Sequence, residues 1–112
     1  MQKGERMIVN YTSKYKRDYK KLLNKHIKKE IETLERIIMY LKLVGNMREL
    51  LDNPYSKIFH IEKKSGNLKS FYTARINEKI RLFIRPINEN LDLVYIVEVE
   101  LSEINLNHYN DG

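Results

Sequence analysis

A chain of 112 residues has room for one folded unit at roughly 100–200 residues per domain, which excludes anything built from two lobes. With 42% hydrophobic and 32% charged residues and only 4 Gly and 2 Pro, it belongs with globular rather than disordered or low-complexity sequences. The absence of cysteine removes disulfides, thiol nucleophiles and thiolate metal sites, and a net charge of +6 favours a polyanionic partner, nucleic acid or an acidic protein segment.

His26, His60 and His108 lie far apart and show no paired ligand spacing, so no metal and no other cofactor is expected. No apolar run approaches the roughly 18 residues of a membrane span, and the N-terminus lacks the hydrophobic region of a signal peptide. A cytoplasmic protein with no membrane partner is the expectation.

Residues 1–6 are polar and aperiodic and are expected to be disordered or an extension, leaving residues 7–112 as one domain. Met7 to Tyr11 reads as a short strand, and Thr12-Ser13 supplies N-cap chemistry for a helix ending near Asn24. Tyr15, Tyr19, Leu22 and Leu23 give that helix one apolar stripe beneath a basic face. Between Lys14 and Glu30 eight Lys or Arg stand against Asp18 and Glu30, whereas no Lys or Arg follows Pro86. A second helical pattern, Ile27, Ile31, Leu34, Ile38 and Leu41, stops around Gly45, and Met47 to Leu51 adds a turn before Asn53-Pro54 breaks it.

The period then changes to two. Lys57 to Ile61, Leu68 to Ile76, Lys79 to Ile87 and Leu91 to Leu101 read as strands separated by short turns, which make neighbours antiparallel. The expected fold is α+β, a helical hairpin packed on one face of a mainly antiparallel sheet in the order β-α-α-β-β-β-β. Alternation places Tyr72, Ala74, Ile80, Leu82, Ile84, Tyr95, Val97 and Val99 toward the helices. Arg75, Arg81, Phe83, Arg85 and Glu98 are thereby assigned to the opposite face.

Three guanidinium groups and a carboxylate on one open face suit RNA. Metal-free cleavage needs a base for the 2′-hydroxyl, cationic donors for the phosphate oxygens and an acid for the departing 5′-oxygen. Arginine forks match phosphate oxygens, and histidine titrates near neutrality. A partly apolar stretch from Leu101 anchors the tail and delivers His108-Tyr109.

The segment from Tyr72 to Ile84, YTARINEKIRLFI, followed by an apolar strand and a near-terminal His108-Tyr109, resembles the RelE/ParE superfamily of bacterial toxins from type II toxin–antitoxin systems, and most nearly its HigB-like and YoeB-like branches. The resemblance covers nearly the whole chain from Met7. It implies a RelE-like, microbial-ribonuclease-like fold and cleavage of mRNA on the ribosome, held in check by a co-encoded antitoxin of the HigA-like helix-turn-helix kind. By position, Arg81 would stabilise the transferring phosphate, Arg75 would assist it, His108 would be the general acid, and Tyr109 would orient or stack on a base. The general base stays open: Glu62, nineteen residues before Arg81, matches the YoeB-like glutamate, whereas HigB-like toxins would draw on His60, Lys63 or Lys64. Asn107 stands where some HigB-like relatives have an acidic residue. His60, Lys63, Lys64, Phe83, Arg85 and Glu98 complete the RNA-binding candidates. The competing readings are a ParE-like, non-enzymatic topoisomerase inhibitor, which has no need of His108-Tyr109, and a plain RNA-binding module.

Overall fold

The computed structural model describes residues 6–25 and 27–106. Strand β1 (Ile8–Tyr11) is followed by helices α1 (Ser13–Asn24), α2 (Lys28–Leu43), α3 (Met47–Asp52) and α4 (Tyr55–Ile58), and then by strands β2 (Glu62–Lys63), β3 (Tyr72–Arg75), β4 (Arg81–Pro86) and β5 (Glu98–Asn105). The five strands form one sheet in the order β1-β5-β4-β3-β2. Every pairing is antiparallel except β1 with β5, which run parallel with Ile8 opposite Glu98. The α+β architecture expected from the sequence is present.

Local chemistry explains the helix ends. The Thr12 hydroxyl accepts the Tyr15 N–H at 3.0 Å and donates to the Ser102 carbonyl at 2.7 Å, so one side chain caps α1 and ties it to β5. At α3, Asn46 Oδ1 accepts the Glu49 N–H while Glu49 Oε1 accepts the Gly45 N–H, each at 2.8 Å, a reciprocal cap of the capping-box type. One apolar core joins α1, α2 and α3 to Tyr72, Ala74, Leu82, Ile84, Val99, Leu101 and Ile104 of the sheet.

Five expectations are corrected. Lys57 to Ile61 is not a strand: Pro54 and the Asn53 side chain, which accepts the Tyr55 N–H at 3.0 Å, start a helical turn whose Tyr55 and Phe59 rings pack on Tyr40. Leu68 to Ile76 is strand only from Tyr72, the part before it being a 3-10 turn. The last strand begins at Glu98 rather than Leu91, because the chain turns at Asp92 and the Ile96 carbonyl accepts the Met47 N–H at the start of α3. In that segment the facing is inverted, with Ile96 buried and Tyr95 and Val97 exposed. On α1 the buried stripe is Tyr15, Asp18 and Leu22, whereas Leu23 is exposed.

A bulge completes the sheet. Phe83 lies opposite Glu103 but the next residue, Ile84, lies opposite Leu101, so Ser102 is extra and β5 keeps both Leu101 and Ile104 in the core.

Candidate functional site

Arg75 ends β3 and Arg81 begins β4, and the register sets them directly opposite each other. The side chains of such a pair stand on one face with Cβ atoms about 5 Å apart. That face lies away from the helices, since the intervening Ala74 and Leu82 are fully buried in the core. Both arginines are half-buried. Burial, and secondarily the Arg75 charge, lower the pKa of Arg81, while Glu62 and Glu78 oppose the shift. Neither guanidinium forms an ion pair among the described residues. The Nε of Arg75 is buried with no hydrogen-bond partner among the described residues. A pair of neighbouring, half-buried cations on an open face can receive an anion.

The chain that precedes β2 supplies the flank. The Arg75 N–H donates to the Phe59 carbonyl at 2.7 Å, which holds this stretch against the end of β3. His60 adopts a left-handed backbone, φ 50°, and its Nε2 lies 3.5 Å from Arg75 Nη1, as acceptor when that nitrogen is unprotonated. Glu62 pairs with Thr73, which pairs with Phe83, so Glu62 lies one row along the same face from the two arginines. On the other side, β5 brings Asn105 opposite Arg81. His60, Arg75, Arg81 and Asn105 therefore form a row across the open face, with Glu62 beside it.

The turn between the arginines is organised by Asn77. Its Oδ1 accepts the N–H groups of Lys79 and Ile80, each at 2.8 Å, and its carbonyl accepts Arg81 Nη1, which also reaches the Ile80 carbonyl at 3.2 Å. Its Nδ2 donates to Glu30 Oε2 at the start of α2, at 3.1 Å. Sequence reasoning treats Asn77 as turn chemistry and Glu30 as one charge in a basic stretch. A partnership 47 residues apart leaves no trace in spacing.

The other candidates are placed elsewhere. Arg85 donates from Nε and Nη2 to Glu100 Oε1, each at 2.9 Å, about four residues along β4 from Arg81. Glu98, nearer the other end of the sheet, accepts from the Asn10 amide at 2.6 Å. Lys63 points to the side of Tyr72, with its ammonium 5.5 Å from that ring and bonded to the Lys69 carbonyl. Lys64 continues the β2 pairing through its N–H to the Phe71 carbonyl at 2.9 Å. Phe83 is only 3% exposed beneath Phe71, their ring centres 5.7 Å apart, so its ring face is not open to a base. His108 and Tyr109 lie outside the described residues. Among the described residues no group of three or more His, Asp or Glu could hold a metal ion.

The backbone carrying this row matches solved structures along almost its full length. YafQ from E. coli superposes with a TM-score of 0.64 at 12% identity, covering 95% of this chain and 99% of that one. A YoeB/ParE toxin from Agrobacterium tumefaciens gives 0.60 at 15%, covering 90% and 99%. A chain of the heterotetrameric YoeB-YefM toxin-antitoxin complex from Staphylococcus aureus gives 0.60 at 18%, covering 89% and 95%. The chain shares the fold of these toxin structures. No family model matches the sequence, and no curated protein does.

Proposed function

We propose that the protein is the toxin of a type II toxin–antitoxin pair and a ribosome-dependent mRNA endonuclease that works without a metal, in the cytoplasm. The observation that carries this reading is the Arg75–Arg81 pair, opposed on an open sheet face with His60 and Glu62 alongside and no ion pair to a carboxylate among the described residues. A phosphodiester placed over the two guanidinium groups would have its non-bridging oxygens stabilised as the pentavalent phosphorane develops. Glu62 is the favoured base, because the His60 Nε2 is directed at Arg75. It would take the 2′-hydroxyl proton as the O2′–P bond forms and the P–O5′ bond breaks, leaving a 2′,3′-cyclic phosphate. His108, three residues beyond the Asn105 that faces Arg81, would return a proton to the 5′-oxygen.

The YoeB-YefM complex among the structural neighbours supports an antitoxin partner. The HigB-like resemblance suggests one of HigA-like helix-turn-helix type. Purified protein added to translating ribosomes tests the reading: mRNA cut at defined codon positions supports it, with Arg81→Ala as the inactive control. Gyrase inhibition without cleavage would instead establish the topoisomerase-inhibitor alternative.

A further inference from the structure

We propose that Asn77, held in place by Glu30, is a positioning residue for Arg81. The inference rests on the nuclease reading for its kinetic consequence, but its structural content stands on the hydrogen bonds alone. Arg81 is the first residue of β4, and its pairings with Arg75 on β3 and Asn105 on β5 are the last rungs of both ladders, so the sheet fixes its backbone but not its guanidinium. That task falls to the turn. The Ile76 and Asn77 N–H groups donate to the Ile80 carbonyl at 3.0 and 3.3 Å, and Asn77 Oδ1 takes the N–H groups of Lys79 and Ile80. The turn so closed aims the Asn77 carbonyl at Arg81 Nη1. Both of these guanidinium contacts use Nη1, which restrains the plane of the group.

The side-chain amide of Asn77 connects this turn to α2. Its acceptor is spent on the turn and its donor on Glu30, half-buried in the first turn of that helix. No other side chain of this length supplies both an amide oxygen and an amide hydrogen. Aspartate would keep the turn and lose the link; alanine would lose both. The orientation of Arg81 is thus set from the helical layer, through a hydrogen bond that touches no substrate.

The test compares Asn77→Ala, Glu30→Ala and the conservative Glu30→Gln, whose amide oxygen still accepts from Asn77. Two readouts are taken on the full chain. In nitrogen-15 NMR spectra, the Arg81 guanidinium should show hindered rotation in the wild type and in Glu30→Gln, and averaged signals in Asn77→Ala and Glu30→Ala. In ribosome cleavage assays, Asn77→Ala should lower kcat by roughly 10- to 100-fold with KM nearly unchanged, as a small displacement of a catalytic group does. Adding it to Arg81→Ala should cause little further loss, since both act on one group. Freely rotating Arg81 in the wild type, or the same hindered rotation in Asn77→Ala as in the wild type, would overturn the inference whatever the enzyme does. So would full cleavage by a folded Asn77→Ala protein in which Arg81→Ala is inactive. Absence of cleavage by the wild type would instead remove the nuclease reading and leave the positioning to be judged by NMR.

Discussion

The buried carboxylate of Asp18 in α1 accepts the backbone N–H of Ile104 in β5 at 3.0 Å, with Lys14 as its ionic neighbour at 3.2 Å. A carboxylate only 3% exposed inside an amphipathic stripe is explained by this clamp, which secures β5 one residue before it pairs with Arg81. Asp18→Ala leaves a buried N–H without an acceptor and should destabilise the fold by about 1–3 kcal/mol. Urea unfolding measures this, and Asp18→Asn, which keeps an oxygen, should lose less. Equal losses for the two would mean that charge rather than the hydrogen bond matters.

Arg81→Ala should slow cleavage by roughly 10²-fold or more, the usual effect of removing a preorganised donor to a developing anion. The fold should survive, because the side chain lies on the open face. Circular dichroism checks the second point and single-turnover cleavage the first.

The arginines of the open face should not behave alike. Arg85 is bound by Glu100 and its side chain is 40% exposed, so Glu100→Gln should change stability by less than about 1 kcal/mol. Arg85→Ala should leave cleavage near the wild-type rate. A loss as deep as that of Arg81→Ala would extend the site along β4.

His60 provides a trade between stability and activity. Its left-handed backbone is strained for any residue with a Cβ, so His60→Gly should be more stable than His60→Ala by about 1 kcal/mol. Both lack the imidazole beside Arg75 and should be equally impaired in cleavage. Unequal activities would point to the backbone at this position rather than the ring.

Alkaline stability has an assignable source in Tyr40. Burial, and then Glu49, raise its phenol from an ordinary 10.0 to about 12, and its hydroxyl donates to the Leu50 carbonyl. Since the folded chain holds this proton more tightly than the unfolded one, the stabilisation is complete below pH 10 and is lost as pH rises toward 12. Tyr40→Phe should flatten the fall in stability across that window in urea titrations at stepped pH; an unchanged slope would assign the fall to other groups.

Much of this was legible in the sequence because periodicity reports burial directly. Leu34 and Leu41 in α2, and Leu82 and Ile84 in β4, fall inside as their spacing requires, and the same alternation sets Arg75 and Arg81 on the outer face. Alternation is blind to pairing along that face, so it could not show that Glu100 and Asn10 engage Arg85 and Glu98 while Arg75 and Arg81 form no ion pair among the described residues. Nor could it foresee a bulge: the extra Ser102 reverses the facing partway along β5. The segment from Tyr55 to Ile61 misleads for another reason, since aromatic and β-branched residues favour a strand locally while packing on Tyr40 favours a helical turn. Asn77 and Glu30 meet only through the tertiary fold.

The parallel pairing of β1 with β5 governs how the molecule can be made. Strand β5 is inserted between β1 and β4, yet it is translated after every other described element. A nascent chain that has reached Ile87 holds β1 and β4 with nothing to join them, and Ile8 must wait for a partner 90 residues downstream. Such long-range closure is slow, and it places completion of the arginine row, with Asn105 closing β5, after every other described element has been made. The emerging polypeptide is thereby kept from assembling its site before residues 98–105 have appeared.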